Sequence, residues 1–381
     1  MKLLFNCTTN NVGGGVKNSA MFIKYALQDK INTYFFAISP QVKDILDKWN
    51  IQINNSYLFE KSPAKNQNIR KQLIKLANKL DIDLVFTMAG PAYVKFKQIH
   101  VLGISNPYVT HTDFQGLTIG KNIKDIFITS LLLLYQAFYS RKADFWIFQT
   151  KESRNGYIKR YFVSKNNTFV VSNSIGAEFL DYYKDKPIDL PNKNTTINIF
   201  CPAAGYLHKG LHLIPLIAKE LNFIAKETYN FKFILTIDKK SDLWLNIYEK
   251  SKKYLIEDKI ENIGPYNYTT VMHYFDSANI VFVPSILETF SASYLEAFAS
   301  KRLLFVADKK FAKDICQDAA IYINPFDAIA TAEKINFVIN NPNSQKEKIE
   351  KGVEILKLYG TQKERFEKII SYLNQKGENN V

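Results

Sequence analysis

Cysteine is scarce in this chain of 381 residues: Cys7, Cys201 and Cys316 are its three, far apart and outside any CxxC pair. That excludes a disulfide framework and a cysteine-rich metal site, and it points to a reducing compartment. Long apolar runs are lacking as well. The opening MKLLFNCTTN holds one lysine and a short apolar stretch, less than a signal-peptide core requires. The longest apolar segment, 126–139, is interrupted by Thr129, Ser130 and Gln136. A membrane span needs roughly 20 apolar residues, so a buried or interfacial helix is expected there, without a transmembrane segment, in a cytoplasmic protein. Acidic residues are outnumbered, yet no bare basic block and no RNA- or DNA-binding motif accompanies the excess, which excludes nucleic acid as the expected partner. No internal repeat is present, and low complexity is confined to the polar tail 375–381.

What is present is the composition of a folded protein, 46% hydrophobic and 23% charged. Its length suits two domains better than one core. The 50 Lys+Arg against 36 Asp+Glu give a net charge of +14. Such a field favours phosphate-bearing substrates or an anionic membrane, with a merely solvated lysine-rich surface as the plain alternative.

Short β-rich apolar runs alternate with amphipathic stretches from end to end. In the first half strands are expected at 2–6, 33–37, 84–87, 101–105, 146–150 and 169–171, with helices at 16–28, 66–80, 122–140 and 151–162. The polar stretch 183–196, YKDKPIDLPNKNTT, reads as a linker. After it strands recur at 197–201, 231–237, 280–284, 303–307 and 320–323. Near-continuous apolar strands separated by helices predict parallel sheets covered on both faces. The fold class is therefore α/β, two Rossmann-like doubly wound domains, 1–182 and 197–361, with a cleft at the carboxyl ends of their strands as the ligand site.

Several loops at such strand ends carry chemistry. Val12-Gly13-Gly14-Gly15-Val16 joins a strand to a helix, where backbone N–H groups can meet an anion; a tight turn is the other reading. His111, in YVTHTDF, follows the strand at 101–105, and is equally open to a structural role. Lys209, in HKG at the start of a helix, suits a diphosphate, or a solvated surface. The stretch 280–300, IVFVPSILETFSASYLEAFAS, places Glu288 in a loop and Glu296 on the following helix, with residues 289–295 between them. A carboxylate at Glu296 can accept two hydrogen bonds from a vicinal diol such as ribose. Asp81-Ile-Asp83 is a literal DxD, but it precedes its strand, away from the ligand end of a parallel sheet, so no metal is expected.

The stretch 280–300 resembles the E-x7-E signature of GT-4 family retaining glycosyltransferases, glycosyl transferases group 1, in the form PS-x-x-E-T-F-x-x-x-x-L-E-A. The resemblance extends to Ala307-Asp308, Asp314, 319–325, Asn173, His208-Lys209-Gly210 and the amino-terminal Gly loop, in family order over nearly the whole chain. It implies the GT-B fold, a last helix within 362–381 crossing back to the first domain, and no cofactor beyond a nucleotide-diphosphate sugar as co-substrate. By the same resemblance Glu296 holds the donor ribose, and Glu288 with the backbone of Thr289, Phe290 and Ser291 holds the transferred sugar. Lys209 neutralises the diphosphate with help from Gly14 and Gly15, and His111 lies beside the reacting sugar. The implied catalytic set is His111, Lys209 and Glu288. Retention by a front-face reaction is implied too, the departing phosphate taking the acceptor's proton.

Two departures from the pattern stand out. The arginine that family members often carry about five residues before the lysine is missing from Ala203-Ala204-Gly205-Tyr206, which leaves Lys209 alone or assisted by Lys17. The glycine usual after E-x-F is Ser291. The expected acceptor is a glycan or a lipid-linked acceptor of bacterial surface polysaccharide, with peripheral contact to an anionic membrane. A nucleotide-sugar epimerase on the same fold and a non-catalytic sugar- or nucleotide-binding module are the competing readings.

Overall fold

The structure is a computed structural model that describes residues 1–226, 228–266 and 270–378. Two compact units emerge. The first comprises Met1–Asp113, Lys121–Asn173 and the chain from Gln362 onward; the second comprises Phe114–Gly120 and Ser174–Thr361.

The first unit is built on a sheet of β1 (Lys2–Cys7), β2 (Thr33–Ile38), β3 (Ser56–Leu58), β4 (Leu84–Thr87), β5 (Ile99–Ile104), β6 (Phe145–Phe148) and β7 (Thr168–Val170). Their order is β3-β2-β1-β4-β5-β6-β7, parallel throughout. β1 and β4 are buried almost without interruption, which is why their sequences read as apolar runs instead of alternating ones. Helix Gly14–Ala26 lays Phe22 on Phe5, ring centroids 4.3 Å apart. The last helix, Gln362–Glu378, adds Phe366, Ile369 and Leu373 to the same core, Phe366 lying 5.1 Å from Phe22. Residues 375–378 of the expected polar tail thus end a helix, while 379–381 lie outside the described residues.

The second unit repeats the plan with β8 (Ile197–Cys201), β9 (Phe231–Leu235), β10 (Ile260–Asn262), β11 (Ile280–Val283), β12 (Leu303–Ala307) and β13 (Ile321–Ile323). The order is β10-β9-β8-β11-β12-β13, again parallel. Alternate residues of β11 serve opposite faces. Ile280 and Phe282 pack with Ile199, Phe233 and Phe305, whereas Val281 and Val283 pack with Phe200, Leu304 and Tyr294. Each such side chain leaving water contributes about 1.5–3 kcal/mol, and both faces are satisfied.

The linker expected at 183–196 does not hang free. Helix Ala177–Tyr183 buries Phe179 and Tyr183 in the second core, and the Tyr183 hydroxyl donates to the Met272 carbonyl at 2.7 Å. Further on, Ile188 and Leu190 pack against that unit, and the buried Arg302 bonds Asp189 at 3.1 Å. Prolines and polar residues masked a strap pinned by Tyr183, Ile188 and Leu190.

Candidate active site

In the second sheet the connections run from β8 to β9 on one side, while β11 pairs on the other side of β8. The strand order reverses between β8 and β11, and in open parallel sheets that reversal opens a crevice at the carboxyl ends. Two loops meet there, one after Cys201 and one after Val283. The first contains a short 3-10 turn, Leu207–Lys209, closed by Gly210 at φ 75°. A Cβ on Gly210 would stand 2.3 Å from the Pro284 carbonyl oxygen, so glycine is required here by both its conformation and its neighbour. The Ile286 amide donates to the His208 carbonyl at 2.8 Å, tying the two loops together. Held this way, the Lys209 ammonium donates to a Glu288 carboxylate oxygen in an ion pair, with side chains only 18% and 10% exposed.

The second loop runs into helix Ala292–Ala299, whose cap residue Ser291 makes no side-chain bond to the helix start. Glu288, Thr289, Phe290, Ser291 and Ser293 are all buried, and Ser293 Oγ donates to the Pro202 carbonyl at 3.3 Å. Glu296, one turn in, is half-buried. Its negative field reaches Tyr266, whose hydroxyl is raised above its ordinary pKa first by burial and then by Glu296. Sequence reasoning missed Tyr266, because no local signal joins it to a helix that follows one strand later. It also missed Ser285, fully buried in the loop with a hydroxyl that has no hydrogen-bond partner among the described residues. Beside these loops, Gln115 accepts from Lys309 at 2.7 Å and Gly120, at φ 63°, lies against Leu207.

The first sheet has its own reversal, between β1 and β4. The Gly loop follows β1. Gly13 takes φ 66° as the cap of helix Gly14–Ala26, with no side-chain cap bond. A Cβ on Gly14 would meet nothing within 4 Å, and one on Gly15 would meet Ala89 at 3.4 Å. Asn10 braces the turn by donating to Ser19 Oγ at 2.6 Å, while its carbonyl accepts from Ser39 at 2.7 Å. Lys17 is half-buried on the same helix. His111 ends the short helix Pro107–Thr110 after β5, its Nδ1 2.8 Å from Thr110 Oγ1. Gly156 lies so close that a Cβ there would stand 2.6 Å from the His111 Cβ.

The structure therefore collects Lys209, Glu288, Thr289, Phe290, Ser291 and Glu296 at one switch point, and Gly14 and Gly15 at the other, with His111 at the end of β5. Asp81 and Asp83 are elsewhere. They precede β4 at its amino end, where Asp83 accepts from the Lys2 amide at 2.7 Å and Asp81 lies 3.3 Å from the Lys2 ammonium. Among the described residues no group of three or more His, Cys, Asp or Glu side chains could hold a metal ion.

Comparison with known proteins agrees with this fold. Residues 189–354 match the family model of Glycosyl transferases group 1, which covers most of the second unit. No curated protein matches the chain in sequence. A crystal structure of a glycosyltransferase from Rickettsia africae ESF-5 is similar with a TM-score of 0.71 and 15% identity, covering 100% of this chain and 99% of that one. Anabaena HepE in complex with UDP and glucose gives 0.70 at 12% identity, covering 98% and 99%. Sucrose-phosphate synthase from Thermosynechococcus elongatus gives 0.66 at 12%, covering 98% of each chain. The fold is that of GT-B glycosyltransferases.

Proposed function

We propose, from the premise that the second unit belongs to the group 1 glycosyltransferases, that this chain transfers a sugar from a nucleoside diphosphate sugar to an acceptor with retention of configuration. The observation that carries the reading is the Lys209–Glu288 pair, set on adjacent loops at the reversal between β8 and β11. A cation at a strand-end crevice is what a leaving diphosphate requires, since charge develops on the departing oxygen as the anomeric C–O bond breaks. Glu288 and the buried backbone from Thr289 to Ser291 hold the sugar hydroxyls, and Glu296 accepts from the ribose diol. Gly14 and Gly15 contribute backbone to the diphosphate, and His111 stands by the reacting sugar.

In the front-face course the acceptor oxygen bonds the anomeric carbon on the side the phosphate leaves, and its proton passes to the departing phosphate oxygen. The protein orients the partners and stabilises charge, without a divalent metal. UDP with glucose in HepE supports a nucleoside diphosphate sugar as donor. The acceptor we assign is a glycan or lipid-linked acceptor of bacterial surface polysaccharide. The test is a panel of nucleotide sugars read by thermal shift, followed by nucleoside diphosphate release with and without a polyprenyl-linked sugar. A donor that stabilises the protein, with release accelerated by the acceptor, is expected. Absence of stabilisation by every nucleoside diphosphate would overturn the reading.

A further inference from the structure

Helix Ile123–Ser140 is turned inside out. Its small and polar residues face the protein: the Ser140 hydroxyl lies 2.9 Å from the buried Tyr157 hydroxyl, and Gln136 accepts from Asn106 at 2.8 Å. Leu133 packs on the core of the first unit, but most of the helix's large apolar residues face water. Phe127, Ile128, Leu131, Leu132, Leu134 and Phe138 are each more than half exposed. At 3.6 residues per turn these six share one side and cover roughly half the circumference along several turns. Single exposed apolar residues are ordinary, but a continuous patch on this scale marks an interaction surface. No helix among the described residues is long and apolar enough to cross a membrane.

The rim is basic. Lys124 is exposed on the first turn, and the Lys142 ammonium lies 4.4 Å from the Phe138 ring. The segment that abuts Tyr135, through the Ala64 carbonyl and Arg70, exposes Lys61, Lys65 and Lys71. Against them stand Asp125 and Glu60. An apolar convex ridge with a lysine rim has the two features of an in-plane membrane helix. A second copy of the chain would bring lysine rim against lysine rim in a molecule of net charge +14, and the convex ridge offers no groove to a peptide.

We infer that helix Ile123–Ser140 seats the protein on an anionic phospholipid bilayer, with its apolar side below the headgroups. The inference draws on the proposed function only for its purpose, since a lipid-linked acceptor presents its sugar at such a surface. Full-length protein should co-sediment with vesicles of phosphatidylcholine and phosphatidylglycerol. Emission from a Leu134→Trp variant should shift to the blue on binding. The triple variant Phe127→Ser, Leu134→Ser, Phe138→Ser should lose binding by about tenfold or more, since one apolar side chain leaving water is worth about that factor. It should keep the thermal midpoint and nucleoside diphosphate affinity of the parent. Lys124→Glu with Lys142→Glu should weaken binding only where phosphatidylglycerol is present. Sedimentation of the triple variant equal to that of the parent would overturn the inference. So would a parent that ignores vesicles but forms a concentration-dependent dimer lost in the triple variant. Vesicle binding by a protein that binds no nucleotide would sink the transferase reading and leave this one standing.

Discussion

Both sheets place their first strand between their second and fourth, so β1 and β8 occupy the same position in their units, and each reversal in strand order falls beside it. The loops that follow differ in kind. After β1 come three glycines and no charge until Lys17; after β8 and β11 come Lys209, Glu288 and Glu296 on a tightly packed frame. The first unit offers backbone, and the second offers ionic side chains fixed by close contacts. Under the proposed function one topology would serve for two ways of meeting a polar ligand, and the difference lies in the residues at the loops.

The comparison breaks most easily at Gly210. Gly210→Ala puts a methyl 2.3 Å from the Pro284 oxygen at a positive φ, and a cost of about 3 kcal/mol or more is expected. Urea unfolding measures it. If the variant unfolds within experimental error of the parent, the frame that holds Lys209 is softer than its contacts indicate.

Lys209→Ala should weaken nucleoside diphosphate binding by about 1.5–3 kcal/mol, the worth of a charged hydrogen bond, while nucleoside affinity holds. The partner variant, Glu288→Gln, frees the lysine from its ion pair. It should leave nucleoside diphosphate affinity unchanged or slightly stronger and lower kcat by about tenfold or more, as for a contact made mainly in the transition state. Glu296→Ala should instead weaken nucleoside diphosphate and intact donor alike. Isothermal titration with steady-state kinetics separates these patterns, and exchanged patterns for the two glutamates would undo the assignment.

Acid should find the first unit through His100. That side chain is fully buried on β5, its Nε2 2.9 Å from Thr87 Oγ1, and burial pushes its pKa down to about 3. The unfolded chain takes up the proton near pH 6.5. The contribution is therefore complete above that pH and declines as pH falls toward 3, by about 1.4 kcal/mol per unit. Melting the parent and His100→Gln from pH 7 to pH 5 should show the steeper loss in the parent; equal slopes would show that the ring titrates freely.

The buried strands were legible because burial on both faces leaves an apolar run: β4, β8 and β12 fall at the bounds their sequences suggest. Of the edge strands, β7 and β13 were legible but β3 (Ser-Tyr-Leu) and β10 (Ile-Glu-Asn) were not, because neither of these carries an apolar run. The Glu288 motif stood out as a pattern of residue types, but its partner Lys209 lies 79 positions away, a distance only the strand order closes. Gly210 was visible as part of His-Lys-Gly; the reason for it, Pro284, was not. Helix Ile123–Ser140 was legible as an apolar helix, with burial and an interface both left open, yet which side met water depended on Tyr157 and Asn106, neighbours that periodicity does not reveal.

The smallest expected effect sharpens the comparison from the glycine side. Gly13, with its positive φ, is the residue the turn itself constrains, whereas Gly14 opens the helix with empty space around its missing Cβ. For stability Gly14→Ala should be harmless or favourable by a few tenths of a kcal/mol up to about 1, because alanine restricts the unfolded chain and suits a helix. For binding the same space counts differently. If backbone at Gly14 approaches the diphosphate, the new methyl occupies room the ligand uses, and donor affinity should fall several-fold while the melting temperature holds or rises. A variant that is more stable and binds donor as well as the parent would remove Gly14 from the donor contacts and leave the loop a turn. Lys209 and the helix Ala292–Ala299 would then carry the diphosphate without the first unit's backbone.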